Sequence, residues 1–214
     1  MNTEKENLLL LDKYINLETG RYRRTAFTEV DSLFLRSIQF RALNRKIQKC
    51  RKCPGLNSPA FTESAPGFGN PNARIFFVGQ SLCTQCMVTQ IPFTEGSGYY
   101  IDAVLAIIGM TRLDVFISNI LHCHPPGNRQ STPDEIKNCM PYLKQELEIV
   151  KPAIVVALGN DAKRAIEEYK LLINIDCKLH GIKHPASYLH SYNEGIIDWV
   201  LKLSNVLEKY NGTL

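Results

Sequence analysis

Three short apolar runs constrain this chain more than any other feature. They are Arg74-Ile-Phe-Phe-Val78, Val115-Phe-Ile117 leading on to Asn119, and Ala153-Ile-Val-Val-Ala-Leu158. Each is a strand's length and ends at small or polar residues: Gly79-Gln80, Asn119 and Gly159-Asn160. A strand buried on both faces reads as a continuous apolar run, and such strands belong to parallel sheets. Between the runs the periodicity is helical. Gly98 to Met110 repeats at helical spacing. Thr132 caps a helix that starts at Pro133, carries Asp134 and Glu135 in its first turn, and runs to about Val150. Gly159-Asn160 opens another through Tyr169, and Ile196 to Lys209 is the last. Leu171 to Leu179 contains a further strand. This alternation predicts an α/β fold of three layers, a central, mainly parallel sheet flanked by helices. In such sheets a site lies beyond the carboxyl ends of the strands, where Gly79, Gln80, Asn119 and Gly159 fall.

The region before the first strand has a different character. Residues 1–53 carry 12 Lys and Arg against 6 Asp and Glu, whereas residues 54–214 carry 13 against 15. Glu29 to Lys49 reads as a helix with Val30, Leu33, Phe34, Ser37, Ile38, Arg41, Ala42 and Ile47 on one stripe. Arg36, Arg45, Lys46 and Lys49 lie mostly off it. Residues 1–46 are thus expected to form a basic helical extension, and residues 47–214 the α/β domain. A basic face there suits a phosphate backbone, although a solvated helix face has the same composition. Residues 54–72 read as a loop, as does the stretch after Gly79 to about Ser97. No run of about 18 uncharged apolar residues exists, so no membrane span is expected. The expected setting is a cytoplasmic monomer.

The chain has seven cysteines. An odd, scattered set in a chain of 214 residues argues for metal ligation over disulfides. Two groupings compete. Cys50, Cys53, Cys123 and Cys139 would hold an iron–sulfur cluster. Cys50, Cys53, Cys83 and Cys86 form two CxxC pairs, the spacing of a zinc ribbon. Spacing alone does not choose.

The order of motifs does point one way. It runs Cys50-Arg-Lys-Cys53, Val78-Gly79-Gln80, Pro92-Phe93 and Ser118-Asn119. It continues with Cys123-His-Pro-Pro-Gly-Asn-Arg129, Cys139, Lys151-Pro152 through Gly159, and His184-Pro185-Ala186. This resembles the family 4 uracil-DNA glycosylases, the iron–sulfur branch of that superfamily, over about residues 47–190. The resemblance implies a 4Fe–4S cluster on Cys50, Cys53, Cys123 and Cys139, with Cys83 and Cys86 outside it. It implies uracil-containing DNA as the partner and hydrolysis of the N-glycosidic bond, in base excision repair, as the reaction.

The chemistry of that reaction suits the residues present. The base must leave the stack and enter a closed pocket. Asn119 offers an amide donor and acceptor to the uracil edge, beside Gly79. Phe93 offers a face for stacking. His184 can donate to the oxygen that becomes negative as uracil leaves. Gln80 would line the sugar side and position water. Arg129 and Ser187 would meet phosphates.

Three departures from the family pattern stand out. Gln80-Ser-Leu-Cys83 replaces the usual Glu-Ala-Pro-Gly-like run, and Gln80 cannot act as a base. His124 replaces an arginine. Glu95 stands where the family has glycine, either as a replacement carboxylate or as a surface residue. The altered first motif keeps a second function open, a glycosylase-like module that binds DNA without cutting it.

Overall fold

The central strand β4 (Ile75–Ser81) is buried along its first five residues and half-buried at Gln80 and Ser81. Around it, the computed structural model describes residues 15–16, 21–22, 38–188 and 194–211. Five strands form one sheet in the order β3-β5-β4-β6-β7, with β3 at Phe68–Gly69, β5 at Phe116–Leu121, β6 at Ile154–Leu158 and β7 at Lys178–Ile182. Strands β5, β4, β6 and β7 are mutually parallel, and β3 runs antiparallel to β5 at the edge. A separate antiparallel pair joins β1 (Ile15–Asn16) to β2 (Arg21–Tyr22).

Side chains alternate between faces along each strand, and the sheet accordingly divides two cores. Phe76, Val78, Phe116, Ile120, Val155 and Ala157 pack on one face with residues of α1 (Ile38–Gln48), α4 (Pro133–Val150) and α5 (Asn160–Glu168). Ile75, Phe77, Val115, Ile117, Ile154 and Val156 pack on the other with residues of α3 (Gly98–Ile107) and α6 (Glu194–Leu207). This is the expected three-layer arrangement. A short helix, α2 (Thr84–Thr89), follows β4.

Helix α4 begins where its sequence says it should. Thr132 accepts from the Glu135 N–H, and the Glu135 carboxylate accepts from the Thr132 N–H, a reciprocal capping box with Pro133 at the first helical position.

Several expectations are corrected. The buried face of α1 is Phe40, Leu43, Asn44 and Ile47, and Arg41 and Ala42 are exposed. The stripe was placed about one residue out of phase because it was anchored on positions before 38, which lie outside the described residues. Arg45, Lys46 and Lys49 are exposed, as expected. Residues 54–72 include strand β3, and the stretch to Ser97 includes α2; both are too short to show a period. Cys83 and Cys86 form a disulfide, contrary to the expectation drawn from the odd count. No helix among the described residues is long and apolar enough to cross a membrane.

Candidate active site and cysteine-lined cavity

The carboxyl ends of the parallel strands open onto a cleft of about 570 Å³. Gln80, Phe93, His184, Glu95 and Asn128 line it, with Cys83 and Cys86 at one side. Asn119 is 2% exposed and sits behind Phe93. It is paired in register with Gly79 across β4 and β5. A Cβ on Gly79 would lie 2.6 Å from Asn119 Oδ1 and 2.6 Å from a Phe93 ring carbon. Only glycine therefore lets the amide and the ring meet over β4. Asn119 lies inside β5, which continues to Leu121, rather than at its end. Its Oδ1 is buried with no hydrogen-bond partner among the described residues. A buried amide oxygen left this way costs about 1–3 kcal/mol. A ligand with a suitably placed donor would relieve that cost.

Phe93 is held in an unusual backbone conformation. Its φ is 57°, in the left-handed region that bulky residues avoid. Arg112, 7% exposed, accounts for its persistence. The guanidinium donates to the carbonyls of Pro92 (3.2 Å), Phe93 (2.5 Å) and Gly98 (3.3 Å), and its Nε pairs with Asp102 Oδ1 at 2.6 Å. One planar fork fixes both ends of the turn from Pro92 to Gly98. The sequence reading missed Arg112, which has no motif around it.

His184 follows β7 and stands 5.9 Å, centroid to centroid, from the Phe93 ring. Its Nδ1 accepts the Ala186 N–H at 3.1 Å. In the neutral ring the proton then resides on Nε2, leaving Nε2–H as a donor. Burial holds the imidazole below its ordinary pKa and so favours that neutral form. Gln80 Nε2 lies 3.4 Å from Ser131 Oγ. Ser187 is exposed on the turn after His184, next to Lys163, Asn160 and Gly159 around a shallow depression. Arg129 places Nη1 and Nη2 on the two oxygens of Glu135, at 2.9 and 2.5 Å, so it braces the start of α4. That pairing holds the Glu135 carboxyl below the usual carboxylate range. The Arg129 side chain is still 41% exposed.

Past the end of β5, Cys50, Cys53, Cys123 and Cys139 line a second cavity together with Ile47, Leu56, Leu121 and Tyr142. They arrive from the end of α1, the segment after β5, and α4. Cys123 and Cys139 are buried. Two of the sulfurs face amide donors: His122 N–H lies 3.3 Å from Cys139 Sγ, and Asn138 Nδ2 lies 3.6 Å from Cys53 Sγ. Burial and the neighbouring sulfurs push the Cys123 thiol well up. Clustered buried thiols with donors aimed at them suit ligation by a cation, which deprotonates a thiol outright. The donor set fits an iron–sulfur cluster. Among the described residues no group of His, Cys, Asp and Glu converges tightly enough for a single metal ion. The fold does not assemble the zinc-ribbon grouping, since Cys83 and Cys86 line the cleft while Cys50 and Cys53 line the other cavity.

A buried network ties this cavity to β5. His122 Nδ1 is 3.1 Å from Cys139 Sγ, and its Nε2 is 3.2 Å from Glu146 Oε1. Glu146, fully buried, also accepts from Ser118 Oγ at 2.5 Å and from the Gly67 N–H at 2.8 Å. Burial alone would favour neutral His122; the Glu146 carboxylate and then Cys139 outweigh it and raise its pKa. The sequence held one signal of this. Glu146 falls on the apolar face of α4, one turn from Leu143 and Val150. His124, by contrast, uses its ring nitrogen Nδ1 against the Leu82 carbonyl at 2.9 Å.

The chain has relatives among known proteins. A type-4 uracil-DNA glycosylase of Archaeoglobus fulgidus is 39% identical over 122 residues, which are 57% of this chain and 60% of that protein. One of Thermotoga maritima is 34% identical over 131 residues, 61% of this chain and 67% of that protein. The match thus spans about 60% of the archaeal relative's length. The fold is also that of the crystal structure of Pedobacter heparinus SMUG2, with a TM-score of 0.54 at 13% identity, covering 66% of this chain and 77% of that one. The family model for the uracil DNA glycosylase superfamily matches residues 66–211, most of the chain. These matches lead to one conclusion: the chain belongs to the uracil DNA glycosylase superfamily, and within it is similar to the type-4 members.

Proposed function

We propose that this protein hydrolyses the N-glycosidic bond of uracil in DNA, as an enzyme of base excision repair. The observation that carries the proposal is the meeting of Phe93 and Asn119 over Gly79, with His184 beside the Phe93 ring on the same cleft. A flipped uracil would stack on Phe93 and place its edge against Asn119. As the C1′–N1 bond breaks, its electron pair passes to uracil and its oxygens gain charge. Nε2–H of His184 is oriented, by the Ala186 bond to Nδ1, to donate to that charge. Gln80, on the sugar side, would hold water near C1′. A neutral imidazole adds no positive charge to repel the oxocarbenium-like sugar.

A 4Fe–4S cluster is proposed on Cys50, Cys53, Cys123 and Cys139. Once bound it supplies four iron–thiolate bonds that cross-link the end of α1, the segment after β5 and α4. Arg129, Ser187 and the exposed Arg45, Lys46 and Lys49 are proposed as phosphate contacts. Such contacts make binding fall steeply with salt.

The test is release of free uracil from a labelled oligonucleotide, single- and double-stranded. Release by the wild-type protein supports the proposal. Tight, salt-sensitive DNA binding without release would replace it with the binding-module reading, which the Gln80-to-Cys83 departure favours.

A further inference from the structure

Water must still be activated in a cleft whose first motif offers Gln80, an amide that cannot take a proton. Among the described residues lining that cleft, one carboxylate is present, Glu95. It is half-buried and belongs to the turn that Arg112 clamps at Phe93 and Gly98. The Glu95 carbonyl itself accepts the Gly98 N–H at 3.1 Å, closing the turn behind the side chain. Phe93 and Glu95 are therefore presented to the cleft by one braced segment. The proposed stacking face and the backbone that carries the carboxylate keep a fixed relation to each other. A general base on a braced backbone has part of its positioning built into the fold before water binds.

We propose that Glu95 is the general base of this glycosylase, doing from the Phe93 turn what Gln80 cannot do from the end of β4. The inference rests on the glycosylase reading above. The C1′–N1 bond breaks and its electron pair leaves with uracil. A water oxygen then bonds to C1′ of the oxocarbenium-like sugar. The proton lost by that water goes to the Glu95 carboxylate and returns to solvent, while the uracil anion takes a proton from solvent. The products are free uracil and an abasic sugar. Before attack, the negative charge of Glu95 also favours the positive sugar.

The experiment is single-turnover uracil release by wild type, E95Q, E95A and E95Q/Q80E, alongside binding to a non-hydrolysable 2′-fluoro-deoxyuridine oligonucleotide. E95Q is expected to slow release by about 10²-fold, within the range for a lost general base, with binding nearly unchanged. Restoring a carboxylate by Q80E in the E95Q background, or adding formate to E95A, is expected to recover part of the rate. Wild-type release with an undiminished E95Q rate overturns the assignment of Glu95 and leaves the glycosylase reading intact. A slow E95Q that neither Q80E nor formate to E95A improves also overturns it. No release by wild type overturns the glycosylase reading first, and this inference with it.

Discussion

The Ala186 N–H donates to His184 Nδ1 at 3.1 Å, and this one bond decides which nitrogen of the ring can serve the cleft. Because burial also lowers the His184 pKa, the neutral donor form persists below the ordinary imidazole value of about 6.5. Uracil release should therefore hold as pH falls through that value and decline only at the depressed one. H184A should lower the single-turnover rate by about 10²–10³-fold, since the donor acts on charge that develops in the transition state. Binding of the non-hydrolysable oligonucleotide should change far less. A wild-type rate that already halves near the ordinary value would remove His184 from this role.

The same depression makes a stability prediction of definite sign. Between the lowered folded value and about 6.5, the unfolded chain holds more protons on His184 than the folded one. The folded protein should lose stability as pH drops through that window, and H184Q should lose less. Melting temperatures of the two proteins from neutral to acid pH measure the difference.

Arg112 should matter beyond its charge. R112K keeps a cation beside Asp102 but cannot reach three carbonyls with a planar fork. Losing hydrogen bonds of a charged donor costs about 1–3 kcal/mol in urea unfolding. With Phe93 released from its positive φ, affinity for the uracil-containing oligonucleotide should fall as well. R112K with unaltered stability and affinity would show that the turn holds without the fork.

How much of this was legible before the structure depends on the range of the interaction. Strands β4 and β6 announced themselves as apolar runs buried on both faces, and β5 did so by its apolar start, although it buries Ser118 and Asn119 in its middle. The start of α4 was equally plain, since Thr132 and Glu135 interact across one turn. Phe68–Gly69 gave no such signal; it is a strand because Phe68 meets Ile117 far along the chain. Arg112 reads like any loop arginine until the turn from Pro92 to Gly98 folds over it. In α1, the 3-4-7 spacing of Phe40, Leu43, Asn44 and Ile47 was available. It was obscured by fitting a longer helix whose first part lies outside the described residues. Of the four residues that an α/β sheet is expected to bring to one rim, Gln80, Phe93 and His184 line the cleft, and Asn119 is buried against Phe93. Cys83 and Cys86 were read through a count, and a count cannot see which sulfurs are neighbours.

Glu146 tests the buried network. It satisfies His122, Ser118 and the Gly67 N–H at once, with no exposed surface. E146A should leave the Gly67 N–H unmatched and His122 without its carboxylate, with Ser118 Oγ and His122 Nε2 left to each other at 3.3 Å, and cost about 3–5 kcal/mol, the range for breaking a buried charge pair from one side. Denaturant unfolding would measure it. A loss below about 1 kcal/mol, the scale of an exposed pair, would mean that the network is not charged as described.

The cysteines should separate into two classes. C123A should lose iron and the brown colour of the purified protein, and with them stability, because binding energy of a resident metal group is folding energy. C83S and C86S, outside that cavity, should keep full iron content. Iron analysis of the three variants decides it, and iron loss on C83S would sink the four-ligand assignment.

Ser118 and Asn119 are successive residues of β5, so one faces Glu146 and the other faces Phe93. A single peptide bond separates the buried Glu146 network from the Phe93 side of the sheet. Substitution can alter either side alone. Deleting or inserting one residue ahead of Ser118 would reverse both, sending an amide toward Glu146 and a hydroxyl toward Phe93. Drift by point change is therefore open to this strand, whereas change in its length is closed.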